Sequence, residues 1–578
     1  MKLERLVISV LFIASLALFW LHYTNHISIS QLLFAEISLA LALITLLLPP
    51  ASDTRSLDAR LPISLWILPI AVYVVAETEI LLFRHTGLGY VMALTLALIL
   101  TVLAREKPAK KVAIATAIVG ASLIPLYSLF VPSFGNDTWR DILWAAQAIR
   151  VGHVTETAVK HSAYPFPMVP LEYALMSMVS VLDPVWSSVV MGLLYLLQLP
   201  LVVFLLSRRF LGLDDYRGAF ILLLVPLAVM WSAVYIPQVY SLTLFLTAFL
   251  AGSLLLQILL LMAGVFGHGG VAAWMVLTTL GLWISKKEKK IATMLFYLPI
   301  IFAAYATYTS LLYALSGAYN SVVGILLAFL RGGKNLVATV PVSAPPTSSL
   351  GNLALSILAV SGILVFLYGK GFARTLAFIS GTFLVIAYVG ASVFPAADLP
   401  RYLGLPSATM LAVYAPYGFE IIKRKKVGRF FPLVLIVIAV IAFVYSGVFT
   451  PRNPYTGNPY TFSLSGLVNN EEASNIFQVS HFLYNGVLVG DWCSLHLLRY
   501  YYGGMEPQTL TLFWAGNYGL YVDSRFLKTF RGYLLFRPTS LDMPGVFSSE
   551  VYDVIRGGET SIIFNGKLIL AMVSGYGS

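Results

Sequence analysis

The sequence contains a single cysteine among its 578 residues, Cys493, and it carries few charges for its length. One cysteine cannot form an internal disulfide framework or a cysteine-built zinc or iron–sulfur site, so these classes of protein are excluded. The charged fraction is 11%, against about 25% in an ordinary soluble domain. A chain with so few charges cannot cover a water-facing surface over most of its length.

Apolar residues, in contrast, make up 59% of the chain, and the mean hydropathy is +0.84. Apolar runs of about 20 residues, long enough to cross about 30 Å of hydrocarbon, recur from Leu6 to Phe449 and then stop. Between Ile236 and Ser285 the chain fits either two full spans or three short ones, with breaks at Gly252 and at 267–270. With three short helices in 236–285 the predicted spans number 15, and the others lie at 6–22, 32–50, 62–83, 88–104, 112–131, 186–206, 218–235, 291–311, 350–368, 372–394, 403–422 and 429–449.

The net charge of +11 arises from 37 Lys and Arg residues against 26 Asp and Glu residues, and its distribution indicates the orientation. No signal-peptide cleavage site follows the first apolar run, so we expect Met1 to lie in the cytoplasm. Counting loops from there places 22 of the 37 basic residues on the cytoplasmic side and only 7 in the outer loops. The lysines at 286–290 fall inside only with three short helices, which favours that alternative. Because the charge orients the chain in the membrane, no nucleic-acid partner is expected.

The 129 residues after Phe449 have the pattern of a soluble domain. Asn470, followed by two glutamates, predicts a helix start, and Gly486 can end that helix. Two apolar runs between Ser561 and Met572 are joined by Asn565-Gly566, a strong hairpin signal. We therefore predict an all-α polytopic membrane protein with about 15 transmembrane helices and a small C-terminal α+β extracytoplasmic domain. The expected apolar face of the first helix of that domain consists of Ile476, Val479, Phe482 and Leu483.

The first long external loop, 132–184, contains the residues of most chemical interest. It begins with Asn136-Asp137-Thr138-Trp139-Arg140-Asp141 and continues with apolar residues at helical spacing, which predicts an amphipathic helix along the outer membrane surface. A proline-rich break, 161–170, precedes a second helix at about 171–182, which is too short to span and ends at Asp183-Pro184.

This part of the sequence has an acidic residue at the start of the loop, two predicted surface helices, a Tyr-Pro-x-x-Pro-Leu-like break and an Arg-Arg-Phe-Leu-Gly turn. In these features it resembles the GT-C superfamily of membrane glycosyltransferases. The resemblance covers 137–212 most clearly, and five spans before the loop depart from the family's usual single one. The resemblance implies four parts along the chain. These are N-terminal transmembrane helices at 1–131, an external catalytic loop at 132–184, a GT-C-like transmembrane core at 185–449 and an external soluble domain at 450–578. The same resemblance also implies transfer of a hexosyl group from a polyprenyl or dolichyl phosphate carrier. The oligosaccharyltransferase branch is not indicated, because the Trp-Trp-Asp-Tyr-Gly motif is absent from the sequence.

The resemblance also implies roles for acidic residues. Asp137 matches the position of the family's catalytic acidic residue and would act as base on the acceptor hydroxyl, although aspartate at a helix start is also a favoured cap. Asp141, one turn later, would support Asp137 or serve as a helix-start charge. Glu172 is either a second acidic group near the site or, as we expect more, a solvated carboxylate at the membrane interface.

Cations are needed to stabilise the departing phosphate. Arg401, followed by Tyr402, resembles the family's lipid-phosphate-binding arginine, and a guanidinium can bind phosphate bidentately; an interfacial anchor is the alternative. Further donor-binding candidates, each with a structural alternative, are His268 between glycines, His161 in the first external loop, and Arg331 and Lys334 in a later one.

Metal dependence is left open by the sequence: Mg²⁺ or Mn²⁺ at Asp137 and a metal-independent reaction are equally compatible with it. The expected partners are a polyprenyl phosphate-linked sugar donor, a glycan, lipid or protein acceptor, and the bilayer.

Two other classes of protein remain open. One is a transporter or lipid flippase, for which Glu36, Glu77 and Glu79 are the main carboxylates within predicted spans. The other is a non-catalytic subunit of a glycan assembly complex.

Overall fold

The structure is a computed structural model of the chain, mostly helical with a small sheet near the C-terminus. The predicted spans at 6–22, 32–50 and 429–449 lie outside the described residues, apart from a few isolated positions. The described residues are 65–83, 88–128, 136–154, 167–234, 236–286, 289–308, 353–393, 403–423, 470–483, 485–502, 510–515, 522–537, 549–556, 561–565 and 569–573, with 10, 13, 15–17, 437 and 468 as single or short pieces.

Three apolar helices begin the bundle and pack on one another. Glu79, a carboxylate inside a predicted span, accepts hydrogen bonds from the backbone N–H groups of Gly89 and Tyr90, both at 2.9 Å. It thereby caps the next helix, which leaves its own N–H groups without intrahelical acceptors at that end. The helices are α1 (Leu68–Phe83, after a 3-10 turn at Leu65–Ile67), α2 (Leu88–Leu103) and α3 (Pro108–Leu123, continued by a 3-10 turn at Ile124–Ser128).

Two further helices, α4 (Asn136–Val151) and α5 (Met168–Ser180), follow and pack against each other. The second begins three residues earlier than the sequence predicts. Along α5 Leu175, Met178 and Val179 are exposed, which suits a helix at the membrane surface rather than one within a soluble core.

The longest helix of the described part of the chain is α6 (Pro184–Leu211), of 28 residues, about 42 Å at 1.5 Å per residue. Asp183 caps its start by accepting a hydrogen bond from the Val185 N–H at 2.8 Å. Gly212 ends it with a φ of +66°, and its N–H donates to the Arg208 carbonyl at 3.0 Å. Glycine suits that left-handed position because it has no Cβ.

The stretch 218–235, predicted as a single span, is not one continuous helix. The chain forms α7 (Arg217–Leu222) and α8 (Pro226–Val234) instead, separated by a turn. Pro226 lacks an N–H group and its ring clashes with the preceding turn of a continuing helix, so a new helix starts there.

Three short helices occupy the stretch for which the sequence allowed two spans or three, and whether each of them crosses the membrane stays a prediction. They are α9 (Pro237–Leu250), α10 (Leu254–Gly267) and α11 (Gly269–Lys286). Ser253 accepts from the Leu256 N–H at 3.2 Å and caps α10, while His268 separates α10 from α11. The bundle is completed by α12 (Lys289–Tyr308), α13 (Leu353–Tyr368), α14 (Gly371–Val393) and α15 (Leu405–Lys423).

Among the described residues three helices are long and apolar enough to cross a membrane: Leu65–Phe83, Pro108–Tyr127 and Pro184–Leu211. A fourth span is added if the bent pair Pro226–Ala233 and Pro237–Leu250 is one broken crossing. The total of about 15 spans therefore stays a prediction.

One end of the bundle collects charged groups from loops that the sequence predicts to be cytoplasmic. The Lys111 ammonium lies 4.6 Å from the Tyr216 ring centre and donates to the Val102 carbonyl at 2.9 Å. Arg217 is bonded to Asp215 and donates to Glu420 at 2.8 Å. We call this the basic end. Tyr127 lies 16 residues further along the same helix, about 24 Å away, at the opposite end.

The C-terminal domain has a five-stranded sheet in the order β2-β1-β3-β5-β4, in which β1 is parallel to β2 and β3 while the other pairs are antiparallel. Helices and a small sheet are present as predicted, and the predicted hairpin is present as β4 and β5. Asn565 pairs with Ile569, so three residues connect these strands instead of two. The elements are α16 (Asn470–Ser480), β1 (Gly486–Asp491), α17 (Trp492–Tyr501), β2 (Leu510–Ala515), α18 (Ser524–Thr529), β3 (Gly532–Phe536), α19 (Ser549–Arg556), β4 (Ser561–Asn565) and β5 (Ile569–Val573).

Two expectations for this domain were wrong. Gly486 does not end α16 but starts β1, with a φ of +122° that only glycine adopts easily. Phe482 is 55% exposed, whereas Ile476, Val479 and Leu483 are buried as expected. α16 stops at Ser480, and the following turn carries the Phe482 side chain out of the apolar face.

Candidate active site

Helix α4 carries the residues that the sequence singled out. It begins at Asn136, so Asp137 is its second residue. The side chain of Asp137 lies outside the described part of the structure, so its catalytic role stays a prediction.

One turn further along α4, the Asp141 side chain is fully buried. Its Oδ1 accepts a hydrogen bond from Arg140 Nε at 3.1 Å, and the guanidinium carbon of Arg140 lies 5.2 Å from the centre of the Trp144 ring. Asp141 is therefore not a solvated helix-start charge. A carboxylate buried this deeply is tolerated because its counterion is buried with it.

Helix α5 brings a second carboxyl to the same place. Tyr173 is fully buried, and burial raises the pKa of its hydroxyl well above the usual value, with the negative charges of Asp141 and Glu172 adding to the effect. Both carboxyls therefore lie within electrostatic range of one phenol. We call the site formed by Arg140, Asp141, Glu172 and Tyr173 the acidic end, since it lies at the end of the bundle opposite the basic end.

Glu172 is half-buried, and burial raises its pKa from 4.5 to about 8. The expectation of a solvated interfacial carboxylate is therefore wrong. At neutral pH the group is mostly protonated, so it can donate a hydrogen bond and adds no negative charge. A carboxyl whose pKa lies this close to the working pH is suited to holding or transferring a proton.

Glu172 also connects α5 to the helices of the core. It lies within electrostatic range of the hydroxyls of Tyr195 on α6 and Tyr240 on α9, whose ring centres are 6.2 Å apart. A Cβ at Gly267 would overlap the Tyr240 ring, so α10 approaches α9 closely just before His268. Tyr240 thus lies near both Glu172 and Gly267, the residue before His268.

His268 itself is buried, and its Nδ1 accepts a hydrogen bond from the Val271 N–H at 3.3 Å. The imidazole therefore caps the first turn of α11, which fits the structural interpretation of this histidine. Because Nδ1 is an acceptor, the ring proton must be on Nε2. His268 can therefore serve both as a cap and as a hydrogen-bond donor through Nε2.

The C-terminal domain contacts the acidic end through α17. The Tyr500 hydroxyl donates to the Asp183 carboxylate, with both oxygens at 2.6 Å, and its ring centre is 6.1 Å from that of Trp139 on α4. This one side chain ties the start of α6 and the candidate catalytic helix to the domain. Nothing in the sequence pattern paired Tyr500 with residues more than 300 positions away.

The remaining predicted site residues are not placed by the structure. Asp141 is brought toward Glu172, which the sequence gave a lesser role, and His268 follows Gly267, which lies near Tyr240. Burial of Glu172 depends on α6 and α9 and could not be inferred from its own segment. Outside the described residues lie His161, Arg331, Lys334, Arg401 and Tyr402.

Within the described part of the chain, no group of three or more His, Cys, Asp or Glu side chains could hold a metal ion. Asp141 already shares one carboxylate oxygen with Arg140. Whether a divalent ion binds at Asp137 stays as open as the sequence left it.

No model of a known protein family matches the chain, and no curated protein matches it. Among solved structures, ArnT from Cupriavidus metallidurans bound to undecaprenyl phosphate is similar, with a TM-score of 0.40 and 11% identity. ArnT from the same organism in the apo state gives a TM-score of 0.31 and 13% identity. Each match covers 80% of this chain and 98% of ArnT. At TM-scores this low, the likeness by itself establishes neither a shared fold nor an activity.

Proposed function

We propose that the protein is an integral membrane glycosyltransferase that moves a hexosyl group from a polyprenyl phosphate carrier to an acceptor hydroxyl at the outer membrane face. The observation that carries this proposal is the acidic end itself. It combines a buried Asp141–Arg140 pair with a carboxyl, Glu172, that stays protonated at neutral pH. It lies at the end of an apolar bundle and beneath a soluble domain, where a lipid-linked donor and a water-soluble acceptor can meet.

Each group has a defined role in the proposed reaction. The acceptor oxygen attacks the anomeric carbon, the bond from that carbon to the phosphate oxygen breaks, and the polyprenyl phosphate leaves. The hydroxyl proton passes to the Asp137 carboxylate, and in-line attack inverts the anomeric centre. Protonated Glu172 donates a hydrogen bond to the donor and adds no negative charge beside the departing phosphate. Arg401, with Arg331, Lys334, Tyr402, His161 or the Nε2–H of His268, balances the phosphate charge.

Arg140 is not assigned to the phosphate, because its guanidinium is held by Asp141 and Trp144. Its task is to keep the buried Asp141 charge neutralised and so to fix the first turns of α4, on which Asp137 lies. A rigid helix is a better support for a base than a loop, since small displacements of a catalytic group lower the rate strongly.

The transporter alternative is supported less well. It relies on carboxylates within spans, and Glu79 is engaged as a cap of α2 by two backbone N–H groups. A carboxylate so engaged would have to release α2 in order to carry an ion or a proton.

The proposal is tested with purified full-length protein. Mass spectrometry of co-purified lipid should find a polyprenyl phosphate, and transfer is then assayed with polyprenyl phosphate sugars. Asp137→Asn should abolish transfer, while Glu471→Gln, at an exposed glutamate of the C-terminal domain, should leave it unchanged. Full transfer by Asp137→Asn would remove Asp137 from the mechanism. Absence of both transfer and bound polyprenyl lipid would overturn the proposal.

A further inference from the structure

Two exposed aromatic side chains of the C-terminal domain lie on α16 and in the turn after it, and the first of them contacts a partly buried tyrosine of α17. Phe477 is 47% exposed and Phe482 is 55% exposed; the other large apolar side chains exposed to a similar degree in the described part of this domain, Ile562, Ile563 and Met572, lie on β4 and β5. The Phe477 ring packs edge-on against Tyr501, with ring centres 5.2 Å apart. We call Phe477, Phe482 and Tyr501 the aromatic ridge. Exposed apolar patches on a soluble domain usually mark a surface that something else covers.

The position of the ridge is fixed by two attachments to the membrane helices. At the start of α16, the Asn470 side-chain amide donates to the Tyr127 carbonyl at 3.5 Å, just past the outer end of α3. Tyr500, next to Tyr501, donates to Asp183 at the start of α6. Both α3 and α6 are among the helices long and apolar enough to cross a membrane. The ridge therefore lies close to the level at which two spans end.

The width of a helix is comparable to the depth of the polar layer of a bilayer. A helix with its side chains is about 10–12 Å across. The interfacial region is about 5–8 Å deep on each side of the hydrocarbon core, from the difference between a core of about 30 Å and a total of about 40–45 Å. A helix such as α16, attached where the spans end, can therefore place the side chains of one face in this layer.

An exposed apolar surface lies on the membrane part of the protein around Asp183, the residue that Tyr500 contacts. Around Asp183, Val179 is 83% exposed, Val181 is 91% exposed and Trp186 is 48% exposed. The Trp186 ring is perpendicular to that of Tyr127, with centres 6.4 Å apart, so this surface reaches the residue that anchors α16. Exposed side chains at the start of a predicted span are those that face lipid.

We propose that the aromatic ridge inserts into the interfacial layer of the bilayer, so that lipid is the partner of this face of the C-terminal domain. Tyrosine and tryptophan are enriched at this depth in membrane proteins, and phenylalanine occurs on the apolar face of helices that lie in the interface. Insertion gives the domain a third attachment besides Tyr500 and Asn470, and it limits rocking of α17 relative to α4. This inference does not depend on the proposed transfer reaction, since it concerns only where the domain rests.

The test uses the full-length protein in phosphatidylcholine nanodiscs and an environment-sensitive fluorophore on single introduced cysteines. The ridge variants are Phe477→Cys and Phe482→Cys. Matched controls are Ile563→Cys, 44% exposed, and Met572→Cys, 46% exposed, which lie on β4 and β5. β4 is three strand positions from β1, about 14 Å along the sheet. Cys493 is fully buried and should not react, so unmodified protein is the blank.

We expect a quencher attached to lipid to reduce fluorescence from the two ridge positions several-fold more than from the controls, and a water-soluble quencher to give the opposite order. The same quenching at ridge and control positions would overturn the proposal. So would protection of the ridge from both quenchers, which would indicate a protein or glycan cover. A photoreactive phospholipid with unsubstituted protein provides a second readout: adducts should form on α16 and α17, and their absence from both would also overturn it.

Discussion

Replacing Glu172 by glutamine tests the acidic end through its protonation state. With a pKa of about 8, the carboxyl is roughly 90% protonated at pH 7 and roughly 10% protonated at pH 9. If the protonated form is the one that supports transfer, the rate should fall about tenfold between these two pH values. Glutamine stays neutral and keeps an N–H donor, so Glu172→Gln should remove this alkaline fall.

The assay is the rate of sugar transfer by protein in proteoliposomes, at saturating donor, from about pH 6 to about pH 9. Glu471→Gln serves as the matched control and should keep the profile of the unsubstituted protein, since Glu471 is exposed. An alkaline fall of the same size in Glu172→Gln would refute the reasoning, because the titrating group would then be elsewhere. A flat profile in the unsubstituted protein would refute it as well.

The same pKa has a consequence for stability, with a defined sign. Between pH 4.5 and about pH 8 the folded state keeps a proton on Glu172 that the unfolded chain has released. Folding stability contributed by this group is therefore fully present below pH 4.5 and is lost as pH rises toward 8. Thermal unfolding in detergent should show this decline, and Glu172→Gln should reduce its slope.

Three further substitutions test the supports of the site. Tyr500→Phe removes the hydrogen bond to Asp183 and should destabilise the docked domain by about 1–2 kcal/mol, measured as faster limited proteolysis between the two parts; unchanged cleavage would contradict this. Arg537→Met leaves the buried Asp491 without its counterion and should cost about 3–5 kcal/mol, seen as a lower unfolding temperature, whereas an unchanged temperature would count against it. Gly267→Ala introduces a Cβ against the Tyr240 ring and should cost about 1–3 kcal/mol and slow transfer; wild-type stability would show that α9 and α10 are less tightly packed.

The buried triad behind the Arg537 prediction shows how strand topology creates a charge site. Asp491 ends β1, and Arg537 directly follows β3, which is parallel to β1. Arg537 donates to both oxygens of Asp491, at 2.9 and 3.1 Å, and to Glu472 at 3.2 Å, and it is itself fully buried. Burial alone would raise the pKa of Asp491, yet the guanidinium and the hydrogen bonds from Ser494 hold it below its usual value. Separate segments of sequence gave no sign of this pairing.

The predictions that held are those with a local physical cause. Apolar runs bounded by glycine, proline and basic residues located most of the described helices, and the breaks expected at Gly252 and at 267–270 separate α9, α10 and α11. At 218–235 the helix is not continuous, and hydropathy alone did not register the break at Pro226. Hydropathy averages over a window, whereas a proline acts at a single residue.

By itself, then, the sequence determined that the chain is a helical membrane protein with a separate α+β domain, and it pointed to α4 as the helix of interest. Composition and hydrophobic periodicity depend only on residues close together along the chain, and such local information is enough to predict helices, strands and membrane association. Only the tertiary structure decided that Asp141 is buried against Arg140, that Glu172 is shielded by α6 and α9 and stays protonated, and that Tyr500 reaches Asp183. Burial and pKa depend on which distant segments pack around a side chain, and no local pattern along the chain encodes that packing.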